Sequence, residues 1–94
     1  MKTEMTVNIT KPGGGVEIVH KEVDLAFLPN IGMEISCTAW KSERKVQNVG
    51  LSFDEDYELA SLSLFMGKDE TNSEEEQKQL VKMYKAQGWA LVGE

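Results

Sequence analysis

The sequence predicts a mainly β, α+β domain, a strongly curved five-stranded antiparallel sheet with one C-terminal helix and a short terminal strand. Three observations carry this prediction. Apolar residues alternate with polar ones along five stretches separated by turn residues. In three of those stretches the alternation changes parity part-way. Behind them, one stretch adopts helical spacing after a capping residue.

The first strand is residues 3–10, where Met5, Val7 and Ile9 alternate with polar neighbours and mark one buried face. Lys11-Pro12 and three glycines end it, because Pro removes a ladder donor and Gly admits positive φ. Residues 16–28 form the second, with Val16 and Ile18 on even positions but Val23, Leu25 and Phe27 on odd ones. Keeping all five on one face requires a bulge or bend near residues 20–22. The third strand, residues 33–39, presents Met33, Ile35, Cys37 and Ala39 on one face. Residues 45–53 and 57–66 supply the fourth and fifth, and both change parity: Val46 against Val49, Leu51 and Phe53, then Tyr57 and Leu59 against Leu62, Leu64 and Met66. Repeated switches favour a sheet bent around a small core in meander order, since bulges and glycines are what bend strands. A flatter two-layer sandwich of sheet and helix is the alternative.

The helix is predicted over residues 73–87. Ser73 with Glu76 forms a capping box, three glutamates occupy the first turn, and Gly88 stands where a left-handed cap belongs. Trp89, Leu91 and Val92 then return to the sheet as the short terminal strand. Residues 27–35, FLPNIGMEI, resemble the strand-turn-strand entry of small SH3-like barrels, in which a Pro-x-apolar-Gly turn precedes a hydrophobic strand. The resemblance implies an SH3-like half-barrel and no particular activity.

At 94 residues the chain fits a single domain, residues 1–94, with one modest core. Its single cysteine, Cys37, excludes an internal disulfide, and its first residues, Met-Lys-Thr-Glu-Met-Thr, lack the apolar run of a secretory signal, so a cytoplasmic location is expected. Asn8-Ile9-Thr10 matches a glycosylation acceptor by chance on that reading. The net charge of −6 opposes a nucleic-acid surface, which needs Lys and Arg to neutralise phosphate, and no apolar run is long enough for a membrane helix. Acids concentrate late in the chain: Asp54, Glu55, Asp56, Glu58, Asp69, Glu70, Glu74, Glu75 and Glu76 face only Lys68.

No motif commits the chain to a chemistry. The glycine triplet lacks the Lys-Ser/Thr and following helix of a phosphate loop. Asp54-Glu55-Asp56 lacks the spaced acids and central glycine of a calcium loop, so no metal is expected. His20 and Cys37, each the sole residue of its type, could act as a nucleophile pair only by meeting in space, and the parity of Cys37 points it at the core. No catalytic residue and no cofactor are therefore assigned. Trp40 falls on the polar face of its strand with Arg44 and Lys45 beside it. Either the C-terminal helix or the barrel end covers this indole, or Trp40, Arg44 and Lys45 form a binding surface, Trp and Arg being favoured interface anchors. The expected function is a small non-catalytic binding or assembly module working through protein contacts. It is expected to be a homodimer with Trp40 at or near the contact, open to a further protein partner. The alternatives are a small-molecule-binding barrel and an enzyme with an unrecognised site.

Overall fold

The computed structural model describes residues 2–94. Strand β1 (Lys2–Thr10) buries Thr3, Met5, Val7 and Ile9 and turns its even residues the other way, as its alternation predicts. It pairs antiparallel with β2 (Val16–Asp24) through the glycine turn, in which Gly13 and Gly14 adopt φ of 93° and 89°. On its other side β1 pairs in parallel with β6 (Leu59–Glu70), and β6 pairs antiparallel with β5 (Asn48–Phe53). A two-residue strand, β7 (Ala90–Leu91), joins β2, giving the order β5-β6-β1-β2-β7.

The sheet is thus mixed and open, not an antiparallel meander and not strongly curled, and the SH3-like half-barrel does not form. Two physical reasons account for the correction. Parallel pairing requires a long crossover, and residues 11–58 provide one, so the last long strand docks beside the first instead of beside its sequence neighbours alone. The parity change in β2 is also not a bulge. Its register with β1 runs unbroken from Lys2↔Asp24 to Thr10↔Val16, so Val16 and Ile18 simply face the uncovered side. The flatter two-layer sandwich is the nearer of the two expectations.

The predicted third strand is not part of this sheet. Only β3 (Glu34–Ile35) is extended, and it pairs with β4 (Arg44–Lys45) in a separate small hairpin. Met33, Ile35, Cys37 and Ala39 nevertheless pack against the core, so their shared face holds without the strand. The predicted fourth strand divides into β4 and β5, and Val46, which carries its even parity, is buried in the two-residue link between them.

True bulges occur in β6. Ser52 pairs with Ser61 but Phe53 with Leu59, which leaves Ala60 extra and brings Leu59 and Leu62 to one face. Further along, Thr6 pairs with Phe65 and Asn8 with Lys68, so two residues, Met66 and Gly67, stand opposite Val7. Gly67 carries the bulge with φ of 98°, a conformation that costs other residues heavily.

Helix α1 (Glu74–Ala86) begins as predicted: the Glu76 amide donates to Ser73 Oγ at 3.1 Å, and Glu74, Glu75 and Glu76 line the first turn. Gln77, Val81 and Tyr84 form its buried stripe on the sheet. Buried Gln77 donates from Nε2 to the carbonyl oxygens of Ile9, at 2.8 Å, and Gly15, at 3.2 Å, fixing the helix to the β1–β2 turn. Gly88, with φ of 90°, turns the chain back so that Trp89 enters the core and β7 reaches β2. The helix packs on β1, β2 and β7 and makes no comparable contact with β5. None of the helices formed by the described residues is long and apolar enough to cross a membrane.

Candidate functional site: an aromatic and ion-pair cluster

The bulge at Gly67 has a chemical consequence. Without the extra residue Asp69 would point away from Leu62 and Leu64; with it, Asp69 pairs with Ile9 and faces the helix side. There it meets Tyr84 from the last turn of α1 and Arg44 from β4. The Tyr84 hydroxyl donates to Asp69 Oδ2 at 2.6 Å and accepts from Trp40 Nε1 at 3.0 Å. The other oxygen, Asp69 Oδ1, takes a charge-assisted hydrogen bond from Arg44 Nη2. The Arg44 guanidinium lies 4.9 Å from the centre of the Trp40 ring, which closes the circuit with a cation–π contact.

Trp89 underlies the cluster. Its ring meets Tyr84 edge-on, with centroids 5.1 Å apart, and lies 5.9 Å from Trp40. Its indole N–H is buried with no hydrogen-bond partner among the described residues, which costs about 1–3 kcal/mol that the surrounding ring contacts must offset.

This arrangement is built for cohesion and offers little for catalysis. Burial, reinforced by the hydrogen bond to Asp69 and by that residue's charge, pushes the Tyr84 phenol far above its ordinary value, so at neutral pH it is a fixed hydroxyl and not a base. Both carboxylate oxygens of Asp69 are occupied. A shallow cleft of about 630 Å³ lies alongside, lined by Trp40, Arg44, Lys68, Asp69, Leu80 and Met83. A second cleft, of about 550 Å³ between β2 and the segment after β3, is lined mainly by Met5, Val23, Leu25, Ile35 and Cys37, together with Lys21, whose Nζ donates to the Gln87 carbonyl at 3.1 Å.

Of the residues singled out in the sequence, Trp40 and Arg44 come together and are half-buried, while Lys45 is exposed across the small hairpin from Glu34. Tyr84 of the helix and the Trp89 ring contact Trp40 from one side and leave it half-buried. His20 lies on the uncovered side of the sheet with Nδ1 3.9 Å from Glu4, whereas Cys37 lines the cleft over the core. The acidic turn uses Asp54 on its own backbone, where Oδ1 accepts from the amides of Asp56, at 2.9 Å, and Glu58, at 3.0 Å. Among the described residues no group of three or more His, Cys, Asp or Glu side chains is placed to hold a metal ion.

Sequence reasoning missed Asp69 and the hydroxyl of Tyr84. The available signal was an acid closing an otherwise apolar strand two residues after a glycine, which reads as solvated unless Gly67 is recognised as a bulge. The sequence matches no protein-family model, and no curated protein and no solved structure shows detectable similarity to it.

Proposed function

We propose that this protein is a non-catalytic binding or assembly module that works in the cytoplasm through protein contacts, as a homodimer. One observation carries the reading. The convergent polar side chains satisfy one another in the Trp40–Tyr84–Asp69–Arg44 circuit, while large apolar side chains remain uncovered elsewhere: Leu51 is 49 % exposed, Phe53 56 % and Tyr57 89 %. A monomer rarely leaves several such residues contiguous without a partner surface. Of the three residues first considered for binding, Lys45 is the one fully available, and Trp40 and Arg44 contribute only their outer edges.

Sedimentation equilibrium of the wild-type chain tests this. A monomer–dimer equilibrium is expected, and a monomer at high micromolar concentration would refute the homodimer. The cleft formed by Met5, Val23, Leu25, Ile35 and Cys37 favours a second reading, an apolar small molecule held beside Lys21. Saturable quenching or enhancement of an apolar fluorophore, lost in Leu25→Lys, would support it.

A further inference from the structure

We infer that the homodimer forms by antiparallel pairing of β5 with β5 of a second copy, extending the sheet across a two-fold axis. The inference rests on the homodimer reading above and assigns its contact. Strand β5 ends the sheet, so one of its sides presents backbone N–H and C=O groups with no neighbouring strand among the described residues, although the Val49 amide donates to Asn48 Oδ1 at 3.0 Å. Natural edges are ordinarily blocked by charges, by Pro or by a covering element. Residues 48–53, Asn-Val-Gly-Leu-Ser-Phe, carry no charge and no proline, and the helix does not reach them.

The opposite edge shows the contrast. Strand β2 bears Glu17, His20, Lys21, Glu22 and Asp24 and is covered at Val19 and His20 by β7. One edge is defended and the other is open.

The side chains agree with the backbone. Through their pairing with Leu64, Leu62 and Leu59, Val49, Leu51 and Phe53 face the same side as the core, but beyond the end of the helix, where Leu51 and Phe53 are exposed. A two-fold axis perpendicular to the sheet keeps both copies' apolar faces on one side and sets Leu51 against Leu51 or Val49 of the partner, covering what each chain leaves open.

Electrostatics selects the orientation. Parallel pairing would bring two copies of the acidic turn, with Asp54, Glu55, Asp56 and Glu58, together. Antiparallel pairing places them at opposite ends of a six-residue strand, about 20 Å apart, beyond a Debye length of about 8 Å. It also directs each acidic turn toward the Lys45 end of the partner's strand, and aims Tyr57 at the exposed Ile31, whose neighbour Gly32 donates to the Val46 carbonyl just before β5.

Sedimentation equilibrium of wild type, Leu51→Lys, Leu51→Glu and an equimolar mixture of the two variants tests the inference. Leu51 is half exposed, so both variants keep the fold, which far-UV circular dichroism verifies. Each variant alone should associate at least about tenfold more weakly than wild type, because like charges meet at the contact, and mixing should restore the dimer. Variants that dimerise as tightly as wild type would move the contact away from β5 while leaving the homodimer intact. Loss without recovery on mixing would overturn the edge-to-edge geometry, and a wild-type monomer would overturn the inference and the homodimer together.

Discussion

Strand β6 passes through two unlike environments, and the difference between them organises the molecule. Its C-terminal part, from Leu64 onward, lies between β1 and β4 and is reached by Tyr84 from α1; there Leu64 and Met66 are buried and Asp69 is tied to Tyr84 and Arg44. Its N-terminal half, with β5, forms an arm on which Leu51, Phe53 and Leu59 are exposed. Both halves have strand geometry, alternation and a bulge. What separates them is a covering layer, because the 13-residue helix is too short to cover a molecule 45 Å long. Stability is concentrated at one end, and surface that still has burial to gain lies at the other.

The sharpest way to break that comparison is to remove the charge that ties the covered end together. Asp69→Ala leaves the Arg44 guanidinium and the Tyr84 hydroxyl without their acceptor at a largely buried position, a loss of about 3 kcal/mol. Phe53→Ser on the arm should change monomer stability by no more than about 0.5 kcal/mol. Urea titrations read as midpoints at constant slope compare the two, and equal losses would erase the distinction between the regions.

Tyr84→Phe sharpens it by isolating one hydroxyl, with an expected loss of about 1–2 kcal/mol at neutral pH. The same substitution has an alkaline signature. The folded phenol holds its proton above the ordinary value, so the unfolded chain ionises first, from about pH 10 upward. In that window the folded state binds more protons, and stability falls as pH rises. The contribution is complete below about pH 10 and is lost as pH climbs toward the higher folded value. The part of the alkaline decline that belongs to Tyr84 should vanish in Tyr84→Phe, and an unchanged decline would show that its hydroxyl is not held in this way.

Ser73→Ala should cost about 1 kcal/mol by orphaning the Glu76 amide, the smallest of these effects on the covered end. An unchanged urea midpoint would remove the cap from the list of interactions that hold the helix in place.

The helix and its cap were legible in the sequence because they depend on residues within one or two turns of each other. Strand β1 and the return through Trp89 to the sheet were legible for a similar reason, since a two-residue period and a Gly88 stop are local. Pairing was not. Nothing within residues 3–10 or 59–70 announces that these segments run in parallel, because register across 50 residues is decided by the core they jointly bury. A change of parity carries two different meanings: in β2 it means exposed Val16 and Ile18, while in β6 the change between Leu59 and Leu62 means a bulge at Ala60. That ambiguity is physical, because an apolar residue at the wrong parity is cheap to expose singly and cheap to rescue with a bulge. The cluster was half legible. Trp40 and Arg44 stand out as an aromatic and a cation on a polar stretch, but Asp69 becomes visible only after the bulge that turns it inward.

Native-state hydrogen exchange at two protein concentrations tests most directly whether the arm is an unfinished edge. Amides of β1, held between two strands under the helix, should exchange at the same slow rate at both concentrations. Amides of Asn48–Phe53 on the open side of β5 should slow as concentration rises and a second copy pairs with them. Exchange along β5 that is indifferent to concentration, in a sample shown to contain dimer, would contradict the assignment of that edge.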